Sequence, residues 1–317
     1  MTLPCTFPEC PHAGWKSPWE KETAPVLYSG AGTSQGECTR LHVPRRSLDF
    51  QYATAPATYG EPSKRHVLVV QTAPREPSSL GDTIASLARG GAAKWPGPRF
   101  ISSDGSLTDS KTAVHLGWPL VESPSLTGSA KAFVRTLRVT LNTWPDVEYL
   151  TFIEDDVSCC ENTLPYVTRT EVPADVALLS WFTFDYDFSS PCHPRIGPHP
   201  AAARSPVLAT RSSRFFILTQ AITLPRRTID RILSCPAASR HWPKTHAHDE
   251  LISWAVGDSL YAVHFPILFQ HRMVPSAVSQ AGLHLPSDPG NAQEGARTSP
   301  HYMGDDFDAL SLLPRSS

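Results

Sequence analysis

The chain has 317 residues, 40% hydrophobic and 18% charged, enough to bury one large α/β core or two smaller ones. A formal net charge of −2 and a pI near 6.7 leave no global basic field for nucleic acid or for an anionic membrane. No window approaches about 18 uninterrupted apolar residues and the start lacks a signal sequence, so a cytoplasmic protein without a membrane span is expected.

Residues 1–42 carry Cys5, Cys10, His12, Cys38 and His42. A structural Zn2+ at Cys5, Cys10, His12 and Cys38 is one reading. The other is a proline-rich leader with unrelated thiols, because the spacing is irregular. The seven cysteines are odd in number and do not have the spacing of a secreted disulfide scaffold, which fits a reducing compartment. Residues 43–65 show no sustained period, so 1–65 reads as leader and linker.

Order is expected from His66-Val-Leu-Val-Val-Gln71, a short apolar run typical of a buried parallel strand. Thr72-Ala-Pro-Arg75-Glu-Pro then makes a turn. Leu80, Ile84 and Leu87 have helical spacing, and Gly90-Gly91 ends that helix. Pro98-Arg-Phe-Ile-Ser-Ser-Asp104-Gly105 reads as a second strand. A helix is expected from about Gly128 to Thr143, with Ala132, Val134 or Arg135, Leu137 and Leu141 as its inner stripe. Strand, helix, strand, helix, strand predicts a mostly parallel sheet with right-handed crossovers.

The next strand, Tyr149-Leu-Thr-Phe-Ile, runs into Glu154-Asp155-Asp156. Three adjacent carboxylates at the end of a core strand repel one another and resist ionisation unless a cation joins them. Side chains alternate along an extended chain, so Glu154 and Asp156 are expected on one face and Asp155 on the other. Such a face suits a hard cation, Mn2+ or Mg2+, and the cation suits a diphosphate. A solvated acidic turn is the plain alternative, but the preceding run is too apolar for an edge strand. Ligands gather beyond the carboxyl ends of parallel strands, so Arg75, Asp104 and the acidic triplet are expected to border one crevice.

Farther on, Val176–Phe184, Phe215–Leu218, Ser259–Pro266 and Ile267–His271 read as strands or apolar runs. Pro225–Leu233 begins a helix, and His248-Asp249-Glu250 lies in the acidic start of another. Residues 284–317 read as a surface tail, which leaves 66–283 as the main domain.

These pieces resemble metal-dependent glycosyltransferases of the GT-A fold, most closely the branching N-acetylglucosaminyltransferase-IV type and its bacterial relatives. The likeness spans roughly 66–280. It rests on the first strand with Thr72-Ala-Pro-Arg75, on Phe152-Ile-Glu154-Asp155-Asp156-Val157, on Ala221-Ile-Thr-Leu-Pro225-Arg226, on His248-Asp249-Glu250 and on Pro266-Ile-Leu-Phe-Gln270-His271. The acidic triplet stands in for that fold's DxD motif, with Glu154 in place of the first Asp. The resemblance implies a GT-A-like α/β fold, a nucleotide-sugar donor and an undetermined acceptor. It also implies a metal at Asp156 with His271 as a further ligand. Thr72, Arg75 and Asp104 are then expected at the nucleotide, and Glu154 and Asp155 at the ribose or metal-bound water. Asp249 or Glu250 is the expected base for an inverting transfer, with Asp185 and Asp187 as competitors. A carboxylate at a helix start is also simply a favourable partner of the helix dipole. Two other readings are a nucleotidyltransferase and a zinc-stabilised interaction protein. Against the nucleotidyltransferase, Thr72-Ala-Pro-Arg75-Glu-Pro has no glycine- and lysine-rich loop.

Overall fold

The computed structural model describes residues 54–107, 117–183, 206–212, 219–235, 238, 248–257, 259–272, 299 and 302–314. All of them belong to one compact unit, Leu41–Ser317. Cys5, Cys10, His12, Cys38, the Asp185–Asp187 pair and the run at 215–218 lie outside the described residues.

The Val-Leu-Val-Val run makes strand β2 (His66–Thr72), buried at every residue. It is apolar on both faces because it is central. On one side it pairs in parallel with β3 (Arg99–Ser103), and on the other with β5 (Tyr149–Glu154). Strand β4 (Leu120–Glu122) extends the sheet beyond β3, again in parallel. Beyond β5 come β9 (Ala221–Pro225), β7 (Val176–Ser180), β10 (Leu260–Phe265), β8 (Val207–Ser212) and β1 (Thr54–Pro56). Among the described residues this is a nine-stranded sheet, in which only β8 and β9 run against the other strands. The expected mostly parallel α/β architecture is what forms. The edge strand Thr54–Pro56 lies inside the stretch read as linker, where a three-residue strand gives too short a pattern to notice.

The chain passes from β2 to β3 through α1 (Leu80–Arg89) and from β4 back to β5 through α2 (Ser129–Thr143). The two crossovers move in opposite directions across the sheet, so the same right-handed twist puts their helices on opposite faces. In α1, Leu80, Ile84 and Leu87 are buried as their spacing predicts; each contributes about 1.5–3 kcal/mol by leaving water. In α2 Ala132, Val134 and Leu137 are buried as expected, but the stripe is wider than expected and leaves out Leu141. Phe133, Thr136, Leu137 and Thr140 are fully buried, while Leu141 is half-exposed. The two threonines hide their hydroxyls by bonding back to Ala132 O and Thr136 O, both at 2.9 Å, so polar residues serve as core. Phe133 meets Phe152 of β5 edge-on, with ring centroids 5.0 Å apart.

After β9, Pro225 leads directly into α4 (Arg226–Ser234), which packs with α5 (His248–Val256). The short helix α3 (Thr163–Val167) lies between β6 (Val157–Cys159) and β7 in sequence. A two-stranded antiparallel sheet joins β6 to β11 (Phe269–His271), with His271 opposite Val157. Part of the expected tail belongs to the fold. Gln270 exchanges two hydrogen bonds with the Ser299 backbone, and Ala309 N donates to Glu161 O at 3.0 Å.

One buried chain of hydrogen bonds is fixed by its last acceptor. Pro266 O can only accept, so the Nδ1 of His264, 2.8 Å away, carries the proton. The His264 Nε2 must therefore accept from Tyr166 OH at 2.8 Å, and Tyr166 accepts from Tyr59 OH at 2.9 Å. Burial lowers the His264 ring to about 4, so it stays neutral. Tyr166→Phe is expected to cost about 1–3 kcal/mol in denaturant unfolding, since it strands the buried His264 Nε2 and takes a partner from the half-buried Tyr59. An unchanged midpoint would contradict this arrangement.

Candidate active site

From β2 the chain moves outward to β3 and β4, then returns to β5 on the other side of β2. The crevice between β2 and β5, at their carboxyl ends, is therefore the point where strand order reverses and where ligands of open α/β sheets bind. Thr72 and Arg75 leave β2 at this edge, Asp104 follows β3, and the acidic triplet ends β5.

Strand pairing in β5 ends at Glu154, and Asp155-Asp156 forms a turn into β6. The alternation expected to place Glu154 with Asp156 therefore stops one residue too early. Glu154 lies instead on the Phe152 side, where its Oε1 accepts from Thr219 Oγ1 at 2.7 Å and sits 3.2 Å from His248 Nε2. Asp155 and Asp156 share a different partner. The Arg75 guanidinium puts Nη2 on Asp155 Oδ1 and Nη1 3.2 Å from Asp156 Oδ2. Thr72 Oγ1 donates to Asp155 Oδ2, and Thr83 Oγ1 fixes the turn by donating to Asp155 O at 2.6 Å and Val157 O at 3.0 Å. Asp155 is 2% exposed and Asp156 8%, so this is not a solvated acidic turn.

The β6–β11 pairing brings His271 to the same place. Its Nε2 lies 3.5 Å from Asp156 Oδ2, and Arg272 N donates to Asp156 O at 2.6 Å. Burial pushes the Asp155 carboxyl up to about 7, against the pull of Arg75. At Asp156 the effect of burial is outweighed by His271 and Arg75, and the carboxyl falls to about 2.

The side chains fit a divalent cation. Asp156 Oδ1 is buried without a hydrogen-bond partner, and His271 stands across the same carboxylate. Among the described residues no group of three or more His, Cys, Asp or Glu side chains is arranged to hold a metal. A site with one or two protein ligands suits a cation whose remaining positions are filled by diphosphate oxygens and water.

Asp104, expected at the nucleotide, has another task in this structure. It accepts from Thr127 N at 2.9 and 3.1 Å, Thr127 Oγ1 at 2.6 Å and Gly128 N at 2.7 Å. It thus satisfies donors just ahead of α2, which has no capping side chain of its own. Asp104→Ala is expected to cost roughly 1–2 kcal/mol of ligand-free stability, as loss of a cap does. A variant equally stable without ligand would return Asp104 to a nucleotide role alone.

Helix α5 brings the acid pair to the Glu154 side. Its first residue, His248, lies against Phe133 (centroids 5.3 Å, 27° between planes) and edge-on to Phe152 at 5.1 Å, with Nδ1 hydrogen-bonded to Ser129 Oγ. The next residue, Asp249, is half-buried and accepts from Glu250 N at 2.7 Å. Burial pushes its carboxyl up to about 6 against the pull of His248, with Glu250 and Glu154 adding to the rise. A carboxyl near 6 is suited to take a proton at neutral pH.

No family model and no curated protein matches the sequence. Among solved structures, the chain is similar to the mannosyltransferase PcManGT of Pyrobaculum calidifontis in complex with GDP-Man and Mn2+. Identity is 14%, coverage 68% of this chain and 60% of that one, and the TM-score 0.43. It is also similar to GalNAc-T7 with UDP, GalNAc and Mn2+, at 11% identity, 66% and 43% coverage and a TM-score of 0.41. A third similar structure is S. aureus TarS 1–349, at 13% identity, 66% and 60% coverage and a TM-score of 0.40. The chain thus spans between 43% and 60% of these three proteins.

Four residues that shape the site were given no role from sequence: Thr83, Ser129, Thr219 and His248. His248 alone carried a signal, being the residue before an acid pair at a helix start. The other three are small hydroxyl residues whose partners lie 65 or more positions away.

Proposed function

We propose that this chain is a metal-dependent glycosyltransferase that moves a sugar from a nucleotide-sugar donor to a hydroxyl acceptor. The observation that carries the reading is the arrangement around the end of β5. Arg75, Asp155, Asp156 and His271 lie on one side of it at the switch point, and Glu154, His248 and Asp249 lie on the other. In this reading Asp156 and His271 would hold Mn2+ or Mg2+, which when bound stabilises the charge developing on the leaving diphosphate. Arg75 contributes a planar fork suited to phosphate oxygens. Asp155, tied to Thr72, holds that fork in the ligand-free chain. Glu154 is left to receive donor hydroxyls. Asp249 takes the acceptor proton as the new bond to the anomeric carbon forms and the bond to phosphate breaks. One displacement of this kind inverts the anomeric centre.

In the same reading the donor is a UDP-sugar. A thermal-shift panel of UDP-, GDP- and other nucleotide sugars with and without Mn2+ tests the reading. The expected result is stabilisation by one nucleotide class that vanishes with chelator, together with slow release of free sugar from that donor. Pyrophosphate release from a nucleoside triphosphate and a sugar phosphate would instead indicate a nucleotidyltransferase. No response to any nucleotide would sink both.

A further inference from the structure

We propose that Arg75 is an internal counter-cation that holds Asp155 and Asp156 against a divalent metal until a diphosphate draws its guanidinium away. Metal and diphosphate would then bind together rather than one at a time. This inference rests on the glycosyltransferase reading only in naming a diphosphate as the anion.

The geometry is specific. The Arg75 side chain is 6% exposed and its two terminal nitrogens go to different carboxylates, Nη2 to Asp155 and Nη1 to Asp156. A lysine ammonium is a single point charge and cannot present the same planar fork. Asp156 Oδ2, the oxygen nearest His271, is also the one 3.2 Å from Arg75. A cation coordinated through Asp156 would therefore sit within a few ångströms of a guanidinium. Two like charges that close, in a buried site, repel strongly. Asp156 Oδ1 is buried with no hydrogen-bond partner, so the carboxylate has unused capacity while its other oxygen is occupied.

A diphosphate relieves the conflict from both sides. Its oxygens complete the metal's coordination, and they offer the guanidinium a bidentate anion in place of the carboxylates. The turn that carries Arg75 lies between Pro74 and Pro77, at the mouth of the crevice where such an anion would enter. By linkage, whatever the anion does for metal affinity, the metal does equally for anion affinity.

The test uses the full chain, Mn2+ and inorganic pyrophosphate. Free Mn2+ is followed by electron paramagnetic resonance as Mn2+ alone is titrated into wild type and Arg75→Met. Melting temperatures are then read with Mn2+, pyrophosphate or both. Arg75→Met is expected to bind Mn2+ alone about tenfold more tightly or better, because the competing charge is gone. In wild type the two ligands together should raise the melting temperature more than the sum of their separate effects. In Arg75→Met pyrophosphate should add little to the Mn2+ effect. Mn2+ affinity no higher than wild type in a folded Arg75→Met overturns the inference. If that variant does not fold, Arg75→Gln takes its place: it also removes the charge and should gain Mn2+ affinity, and no gain overturns the inference equally. Gain in the variant with no nucleotide sugar bound by wild type would sink the glycosyltransferase reading alone. A UDP-sugar and Mn2+ stabilising wild type, with no gain in the variant, would do the reverse.

Discussion

Asp249→Asn is expected to lower kcat by roughly 10²-fold or more while leaving donor affinity nearly unchanged, because only proton acceptance is lost. The same assignment fixes the pH profile. Asp249 works only when ionised, and its carboxyl is held up to about 6. The kcat/KM of wild type should therefore be level above that value and fall by about tenfold per pH unit below it. A stability measurement gives a second, opposite sign. A carboxyl whose folded value lies above its unfolded value costs stability once both states are ionised, so ligand-free Asp249→Asn should melt no lower than wild type, and higher near neutrality. A residue that merely supports the helix start would behave differently, losing stability and activity together. Glu250→Gln separates the two neighbouring acids. Wild-type rates in both variants would move the role to Asp185 or Asp187.

The central half of the sheet was legible because buried parallel strands read as continuous apolar runs, as at Val67–Val70 and Leu150–Ile153. Helix α1 was legible for the analogous reason, a clean helical period. The convergence of Arg75 and the acidic triplet then followed from topology alone. What failed to show was nonlocal. Strand β9 is five residues long, antiparallel and inserted between β5 and β7, and nothing in Ala221-Ile-Thr-Leu-Pro225 announces that pairing. Asp104 looked like a strand-end ligand because its real partners, Thr127 and Gly128, lie 23 and 24 residues away. In α2 the buried Ala132, Val134 and Leu137 were legible, but Thr136 and Thr140 were not, because they satisfy their own hydroxyls inside the helix, which makes polar residues fit for burial. The face of Asp156 was misplaced by extending strand alternation past the last paired residue. The burial and ion pairing of Asp155 and Asp156 therefore came from the structure, whereas the suspicion that these acids need a cation came from the sequence.

The second large effect is expected at Asp156. Asp156→Ala should abolish transfer and remove the Mn2+-dependent part of nucleotide stabilisation, since His271 would be left as the sole expected protein ligand. From sequence, deleting one of three adjacent carboxylates ought to relieve repulsion and stabilise the ligand-free chain. The structure reverses that sign. Against the cost of burial, His271 and Arg75 hold the Asp156 carboxyl at about 2, below its ordinary value. A group with a depressed folded value contributes stability that is present above the unfolded value, near 4, and is lost as pH falls through about 2. At neutral pH the ligand-free variant should therefore lose stability, on the order of 2 kcal/mol, and the deficit should shrink on acidification. Asp156→Asn keeps the shape but not the charge, so it should lose metal response as fully as the alanine variant. Chelator should leave either variant's melting temperature unchanged while lowering that of wild type with Mn2+ and donor. Retained Mn2+ response in Asp156→Asn, or transfer by wild type that is indifferent to chelator, would remove the metal from this carboxylate and leave Arg75 as the charge facing the diphosphate.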